Sequence, residues 1–466
     1  MKNKFNLSKS IKRKKYAYIF LIFIKKEIKT KIISKLKLLL VLIIILFLKE
    51  NIYYKINHLN KSIHSEKWIV MTVFNQPNQS LIDLLKILDS WKLVVIGNIK
   101  TNDKKWKKLN YSNKLIYLSI RDQIQLRYKT IKNLKLNSYA RRNIGYLYAI
   151  QHGAKEIYEI DEDLIISNLK NIIFNFHSFN KTQICLGIRN DSIMINPYSY
   201  FGEKSIWPRG FRINDIGKEY NNKYFIINSS QLILKPLIFQ GLINGVPDVD
   251  SIFLQTRIQN NKTFNIIFSD NYPLLYYPGN YIPINSKNTK YIYDIFPFIV
   301  LPSTTNAKLS DIIRGYILQR FVWGYNGAII YHSTNIFFNK TINLDYNQFI
   351  EEKDLFFKLD KLLNILNKHF YSKSNNPKEL LINLIKNLIK EKFLKKNDLN
   401  IYKAFLQDLT NFGYKFTSNF KKEIDNQYFK NLKKNQDFNL NLPFEQNNII
   451  KTVMGNKNIK LINHYS

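Results

Sequence analysis

Hydrophobic and polar positions alternate in blocks along this chain, and the first two apolar blocks are set among lysines. Tyr16–Ile24 lies between Lys14-Lys15 and Lys25-Lys26, and Leu38–Leu48 reads LLLVLIIILFL between Lys37 and Lys49. As a helix the second block rises roughly 17 Å, short of the roughly 30 Å hydrocarbon core of a bilayer. Extended to Leu36–Tyr54, with the lysines snorkelling and Tyr53-Tyr54 at the interface, it reads as a signal anchor, against an interfacial hairpin or an N-terminal helix buried in the protein. After Leu48 the chain continues KENIYYK, with no small-residue cleavage site.

From Trp68 the pattern becomes that of an α/β domain. Trp68–Phe74 (WIVMTVF) is a run of strand length, followed by an Asn-Gln-Pro-Asn loop. Ser80 is placed to cap a helix over LIDLLKILDSW, whose Leu81, Leu84, Leu85 and Leu88 recur at helical spacing. Leu93–Ile96 and Leu115–Ile120 are further strands, and a helix is predicted from Ser138 to His152 with Gly153 as its stop. Glu156–Ile160 (EIYEI) is a strand that ends directly in Asp161-Glu162-Asp163. Strands alternating with helices predict a largely parallel sheet covered on both faces, with ligands at the carboxyl ends of the strands. Between about 184 and 302 come short β-like runs (Ile184–Ile188, Tyr224–Ile227, Gln231–Leu234, Thr263–Phe268) and most of the prolines. Beyond Glu351, Leu355–Leu366 and Leu380–Phe393 read as amphipathic helices, and the last 30 residues are Asn/Lys-rich with few bulky runs. The expected organisation is a basic cytosolic tail (1–35), the anchor (36–54), a stem (55–66), an α/β domain (67–350) and a Lys/Asn-rich helical extension (351–466).

Charge alters this picture less than its size suggests. The net charge of +37 points first to nucleic acid, but the first 60 residues alone hold 15 Lys/Arg against two Glu. The remaining lysines are dispersed among Asn and Ile, a compositional bias rather than a patch, so no nucleic-acid partner is expected. A single cysteine, Cys185, excludes an intrachain disulfide framework, and seven scattered histidines without HExxH argue against a catalytic zinc. Gly-rich phosphate loops are missing, against dinucleotide oxidoreductases and P-loop NTPases.

Two carboxylates one residue apart at a strand end, Asp161 and Asp163, can approach one divalent cation. Hard oxygen ligands suit Mg²⁺ or Mn²⁺, which bridge the oxygens of a diphosphate. A second Asp-x-Asp, Asp248-Val249-Asp250, shows that the spacing alone is weak evidence. Either pair can equally be a solvated turn or a helix cap. Arg141 and Arg142 are candidates to face a diphosphate, or a surface pair on a helix. Asp248 and Asp250 are candidates for a general base or a carboxylate facing the substrate, against capping of the helix that starts near Ser251.

Long ordered segments carry a family resemblance. WIVMTVF, KLVVIGN, SYARRNIGYLYAIQHGAKEIYEIDED, NPYSYFGEKSIWPRGF (Asn196–Phe211), NGVPDVDSIF (Asn244–Phe253), FIVLPSTTNAKLSDIIRGYILQRFVWGYNG and EEKDL follow one another over about residues 67 to 355. Together they resemble the STELLO family of Golgi glycosyltransferase-like membrane proteins. Asn196–Phe211 and Asn244–Phe253 are also distantly similar to the reversibly glycosylated polypeptide family, which includes UDP-arabinopyranose mutases. The resemblance implies a GT-A-like (Rossmann-like) mixed sheet in a single-pass type II protein of the Golgi or another secretory-pathway membrane. It implies a nucleotide-sugar donor, a UDP-sugar, and a glycan or protein acceptor. Asp161 and Asp163 would take the metal-binding positions for Mn²⁺ or Mg²⁺, and Arg209, in WPRG, is a candidate contact to donor phosphate, as is Arg212. A catalytically inactive scaffold, associated with other glycan-synthesising membrane proteins, is the alternative. Two departures stand out. Leu164-Ile165-Ile166 follows the carboxylates where the family runs on with further Asp and Arg-Gly, and a helical tail replaces the long second half of the plant proteins.

Overall fold

The computed structural model describes residues 34–35, 37–46, 63–109, 113–166, 184–189, 192–202, 204–218, 223–228, 234–257, 265–338, 345–369, 376–417 and 420. The chain divides into two units, Met1–Ile63 and His64–Ser466. In the first, residues 37–46 are helical, and Leu38 to Leu46 each leave 48–65% of their surface exposed. No described helix is long and apolar enough to cross a membrane. Most of the basic tail, residues 36 and 47–54 of the expected anchor, stem residues 55–62 and the last residues from 421 lie outside the described residues.

The second unit is built on an 11-stranded mixed sheet. Its strands are β1 (Lys67–Val73), β2 (Trp91–Gly97), β3 (Leu115–Leu118), β4 (Glu156–Ile160), β5 (Ile165–Ile166), β6 (Ile184–Arg189), β7 (Lys223–Asn228), β8 (Lys235–Gly245), β9 (Leu274–Tyr276), β10 (Asn288–Ile292) and β11 (Gly327–Phe338). Their order is β3-β2-β1-β4-β10-β8-β11-β9-β6-β7, with β5 on β11. β3, β2, β1 and β4 are mutually parallel. β10 enters antiparallel between β4 and β8, so the sheet is mixed beyond the half that the strand–helix alternation predicts.

The unbroken apolar run of β1 follows from cover on both faces. Ile69, Met71 and Val73 join Leu81, Leu84, Leu85 and Leu88 in one cluster, on the side of α1 (Gln79–Ile87). Val70 meets Gly145 of the helix on the other face, where an added Cβ would lie 2.5 Å from Val70 Cγ1. That close approach explains a glycine inside a helix, which otherwise costs about 1 kcal/mol against alanine. Asn78, not Ser80, caps α1, accepting from the Leu81 amide. The helix stops at Ile87 because Asp89-Ser90 turn and Trp91 already opens β2. α2 (Asp103–Lys108) and α3 (Ile120–Gln125) follow β2 and β3.

The helix expected over 138–152 starts as a 3₁₀ turn, Tyr139–Arg141, and continues as α4 (Arg142–Gln151). Gly153, at φ +92°, ends it. α5 (Ser251–Arg257), α6 (Ala307–Gly324), α7 (Tyr346–His369), α8 (Pro377–Lys390) and α9 (Lys396–Asn411) complete the unit. The helices beyond Glu351 pack into the body. Asp398, at the start of α9, accepts from the Ser303 and Thr304 amides at 2.7 and 3.2 Å. Near its end, Asp408 accepts from the Lys129 and Thr130 amides, both at 2.9 Å, and from the Thr130 hydroxyl at 2.8 Å. Of the runs Gln231–Leu234 and Thr263–Phe268, residues 231–233 and 263–264 lie outside the described residues; Leu234 precedes the strand from Lys235, and Ile266 makes a β-bridge to Gly245.

Candidate functional site

The carboxyl ends of the parallel strands meet at Asp161-Glu162-Asp163. Glu162 serves the backbone: its carboxylate accepts from the Phe74 and Asn75 amides at 3.1 Å and from Asn75 Nδ2 at 2.9 Å. The end of β1 is thereby tied to the end of β4. Asp161 Oδ1 accepts from Arg142 Nη2 at 2.6 Å and from the Tyr139 hydroxyl at 3.2 Å. Arg142 is wholly buried, stacks over the Tyr139 ring at 4.4 Å and donates to the Ser286 carbonyl at 3.0 Å. Burial would lower its pKa, but the Tyr139 oxygen and the Asp161 carboxylate hold it above the usual guanidinium range. Asp163 is exposed.

Beneath Asp161 lies a charged core. Glu159, fully buried inside β4, accepts from Arg314 of α6 at 2.6 and 3.1 Å and from the Tyr291 hydroxyl at 2.6 Å. Arg314 also donates to the Ser286 hydroxyl at 2.8 Å. A buried ion pair persists only where hydrogen bonds satisfy the remaining donors and acceptors, and here tyrosines and a serine supply them. A glutamate in the middle of the apolar run EIYEI was the sequence signal for a buried cation.

The second Asp-x-Asp sits across this core. Pro208 and Val249 form an antiparallel bridge, and the Arg209 amide donates to the Asp248 carbonyl at 2.9 Å. WPRG and PDVD are therefore one structure. Arg209 uses all five of its donors: two on Asp248 (3.2 and 3.0 Å), two on Asp311 of α6 (2.9 Å each) and one on the Lys308 carbonyl. Burial would lower the Arg209 pKa, but Asp248 and Asp311 raise it well above the ordinary value. Lys287 Nζ reaches Asp248 Oδ1 at 3.1 Å. Burial alone would raise Asp248, yet Arg209 and Lys287 hold it well below the usual carboxylate range. Asp250 is different: burial pushes it up to about 6, against hydrogen bonds from the Phe253 amide (2.8 Å) and Trp207 Nε1 (2.7 Å). Its bond to Phe253 caps α5.

The residues singled out from the sequence are thus distributed unevenly. Asp161 and Arg142 meet; Asp248, Arg209 and Asp250 gather around the bridged loops. Arg141 points elsewhere, buried against Gln123 and the Lys135 carbonyl, and burial lowers it to about 10. Arg212 binds Asp215 at 2.9 Å and Asp360 of α7 at 2.5 Å. Sequence reasoning missed Ser286, Lys287, Asp311 and Arg314. Asp311 and Arg314, one helical turn apart in an apolar helix, carried a readable signal; the Ser-Lys pair carried none. Among the described residues no group of three or more His, Cys, Asp or Glu gathers as for a metal ion.

Fold and site together define a mixed α/β protein with a carboxylate-and-cation centre at the carboxyl ends of its parallel strands. Its relatives sharpen that class. The family model of STELLO glycosyltransferases matches residues 308–458. The probable glycosyltransferase STELLO1 of Arabidopsis thaliana is 33% identical over 365 residues, 75% of this chain and 45% of that protein. STELLO2 of the same plant is 31% identical over 372 residues, 76% of this chain and 46% of that protein. The chain belongs to the STELLO family, and it spans less than half the length of these relatives. The match at 308–458 takes in α6 to α9, so the helical tail, expected as a departure from the family, falls inside its own matched region. A likeness at 26% identity over 423 residues, 83% of this chain and 79% of the other, is to the tRNA uridine 5-carboxymethylaminomethyl modification enzyme MnmG of Carsonella ruddii (strain PV). A Lys/Asn/Ile-biased composition raises identities of that kind without shared chemistry.

Proposed function

We propose that this protein is a glycosyltransferase of GT-A-like fold that transfers a sugar from a nucleotide-sugar, a UDP-sugar, to a glycan or protein acceptor. The observation that carries the reading is the Asp161–Arg142 pair at the carboxyl end of β4 in a STELLO-family chain. There Asp161, held in place by the buried Arg142, can meet the counter-ion of a diphosphate.

The residues present fit a divalent ion of the Mg²⁺ or Mn²⁺ type, which commonly takes one or two carboxylates and completes its shell with substrate phosphates and water. Asp161, whose Oδ1 holds Arg142 and Tyr139, would offer its second oxygen, and Asp163 lies exposed beside it. Such an ion supplies charge neutralisation on the departing nucleotide diphosphate. Arg142, locked by Tyr139 and Ser286, orients Asp161. Arg209 holds Asp248 in place with every donor committed, so its part is positioning. Of the two carboxylates in PDVD, Asp250, raised to about 6, is the candidate general base, and Asp248 is the fixed anion between two cations. Leu38–Leu46, apolar and exposed between basic flanks, supports membrane anchorage of the type II kind in the secretory pathway.

UDP-sugar hydrolysis with Mn²⁺, on wild type, Asp161→Ala and Asp163→Ala, tests the reading. The expected result is turnover in wild type and a loss of about 100-fold or more in each variant. A folded wild type with neither turnover nor metal-dependent nucleotide binding would leave the inactive scaffold.

A further inference from the structure

The sheet pairing brings one more cation to the centre. β10 runs antiparallel to β4 with Asn288 opposite Ile160 and Thr289 opposite Glu159. Continuing that register one step past the strand end sets Lys287 across from Asp161. The same lysine reaches Asp248 on the bridged loops, at 3.1 Å, and lies 5.7 Å above the Phe338 ring at the end of β11. It therefore stands between the two Asp-x-Asp motifs.

Arg142, Arg209 and Lys287 differ in what they have left to give. Arg142 has no exposed side-chain surface and is held by Asp161, Tyr139 and Ser286. Arg209 is 6% exposed, with all five donors in use. Lys287 keeps 26% of its side chain exposed. An ammonium carries three donors, and its flexible stem lets it change partner without breaking a fixed fork. Asp248 and, across the sheet, Asp161 both favour its charged form, although burial disfavours it.

Resting on the glycosyltransferase reading, the geometry points to Lys287 as the donor-binding cation that meets the diphosphate of the nucleotide-sugar. Asp248, clamped by Arg209, which Asp311 holds in turn, is the carboxylate that presents it. Ser286, whose carbonyl receives Arg142, whose hydroxyl receives Arg314 and whose amide donates to Asp311 at 3.2 Å, fixes the backbone from which the lysine projects. When the sugar leaves, the added negative charge on the β-phosphate falls beside this ammonium, which strengthens the contact.

Affinity for UDP and for uridine, measured by calorimetry on the full chain, separates this role from a structural one. Lys287→Gln keeps a hydrogen bond to Asp248 without the charge, and Lys287→Arg keeps the charge. We expect UDP affinity to fall about ten- to hundredfold in Lys287→Gln and to be largely restored in Lys287→Arg, with uridine affinity unmoved. Acylation of wild-type lysines, read by mass spectrometry, needs no variant: UDP should protect Lys287 and uridine should not. UDP binding that is equal in wild type and Lys287→Gln, or acylation of Lys287 indifferent to UDP, overturns the inference while leaving the glycosyltransferase reading intact. A folded wild type that neither binds UDP nor turns over a UDP-sugar overturns both.

Discussion

Asp248 and Asp250 are two residues apart, both buried, and pulled in opposite directions. Two cations lower the first; the second has a cap amide, an indole and the neighbouring Glu352 carboxylate, so burial raises it to about 6. Between its ordinary 3.8 and about 6, Asp250 binds its proton more tightly folded than unfolded. Its contribution to stability is then fully present at the acid end and is lost as pH rises through about 6. Asp250→Asn keeps an N-cap acceptor and removes the ionisation. Relative to the variant, wild type should lose up to about 3 kcal/mol between pH 4 and pH 7. Urea unfolding of both proteins at the two pH values checks this; parallel pH dependence would refute it. Nothing in the local sequence Pro-Asp-Val-Asp separates the two aspartates, because Arg209, Lys287 and Trp207 come from other segments.

At the scale of elements, α9 holds the approach to the site. Asp408 binds the turn at Lys129–Asn133, upstream of Lys135, whose carbonyl receives Arg141, and of the 3₁₀ turn that leads into Arg142. Asp408→Ala leaves two amides and a hydroxyl unsatisfied in a buried place, at a cost of about 2–4 kcal/mol. Hydrogen exchange at the Lys129 and Thr130 amides should rise selectively in that variant. Unchanged protection there would show that the turn stands without α9. The element pattern was legible where periodicity is strong: β1, β2, β4 and the leucine-rich α8 fall where the apolar residues put them. β8, β10 and β11 were not anticipated, since Gln240, Asn288, Lys290 and Asn335 break their apolar pattern. These side chains are buried and hydrogen-bonded or charge-paired across the sheet. Periodicity registers burial only when what is buried is apolar.

For the whole molecule, the net charge of +37 divides by place. The centre holds Asp161, Asp248 and Asp311, which face Arg142, Arg209 and Lys287. The lysines of the surface are spread over the helices and loops. A protein lacking residues 1–60 should therefore show no salt-sensitive binding to DNA or RNA in a titration at low and high salt. A steep salt slope would instead reveal a basic patch assembled by folding.

By itself, the sequence determined the first four strands, the helices α1 and α4, the acidic end of β4, and membership of a family; the short helices α2 and α3 carry too few apolar residues to be read from it. Each is carried by short-range pattern or by ordered motifs. Only the tertiary structure decided that β10 runs back beside β4, that WPRG bridges PDVD, and that α9 braces the turn before Arg142. Those contacts join segments dozens to hundreds of residues apart, through backbone pairing and buried ion pairs. Such choices are made by the sheet as a whole, because an antiparallel partner or a buried countercharge is selected by which element fills the remaining edge or cavity, and no local propensity encodes that.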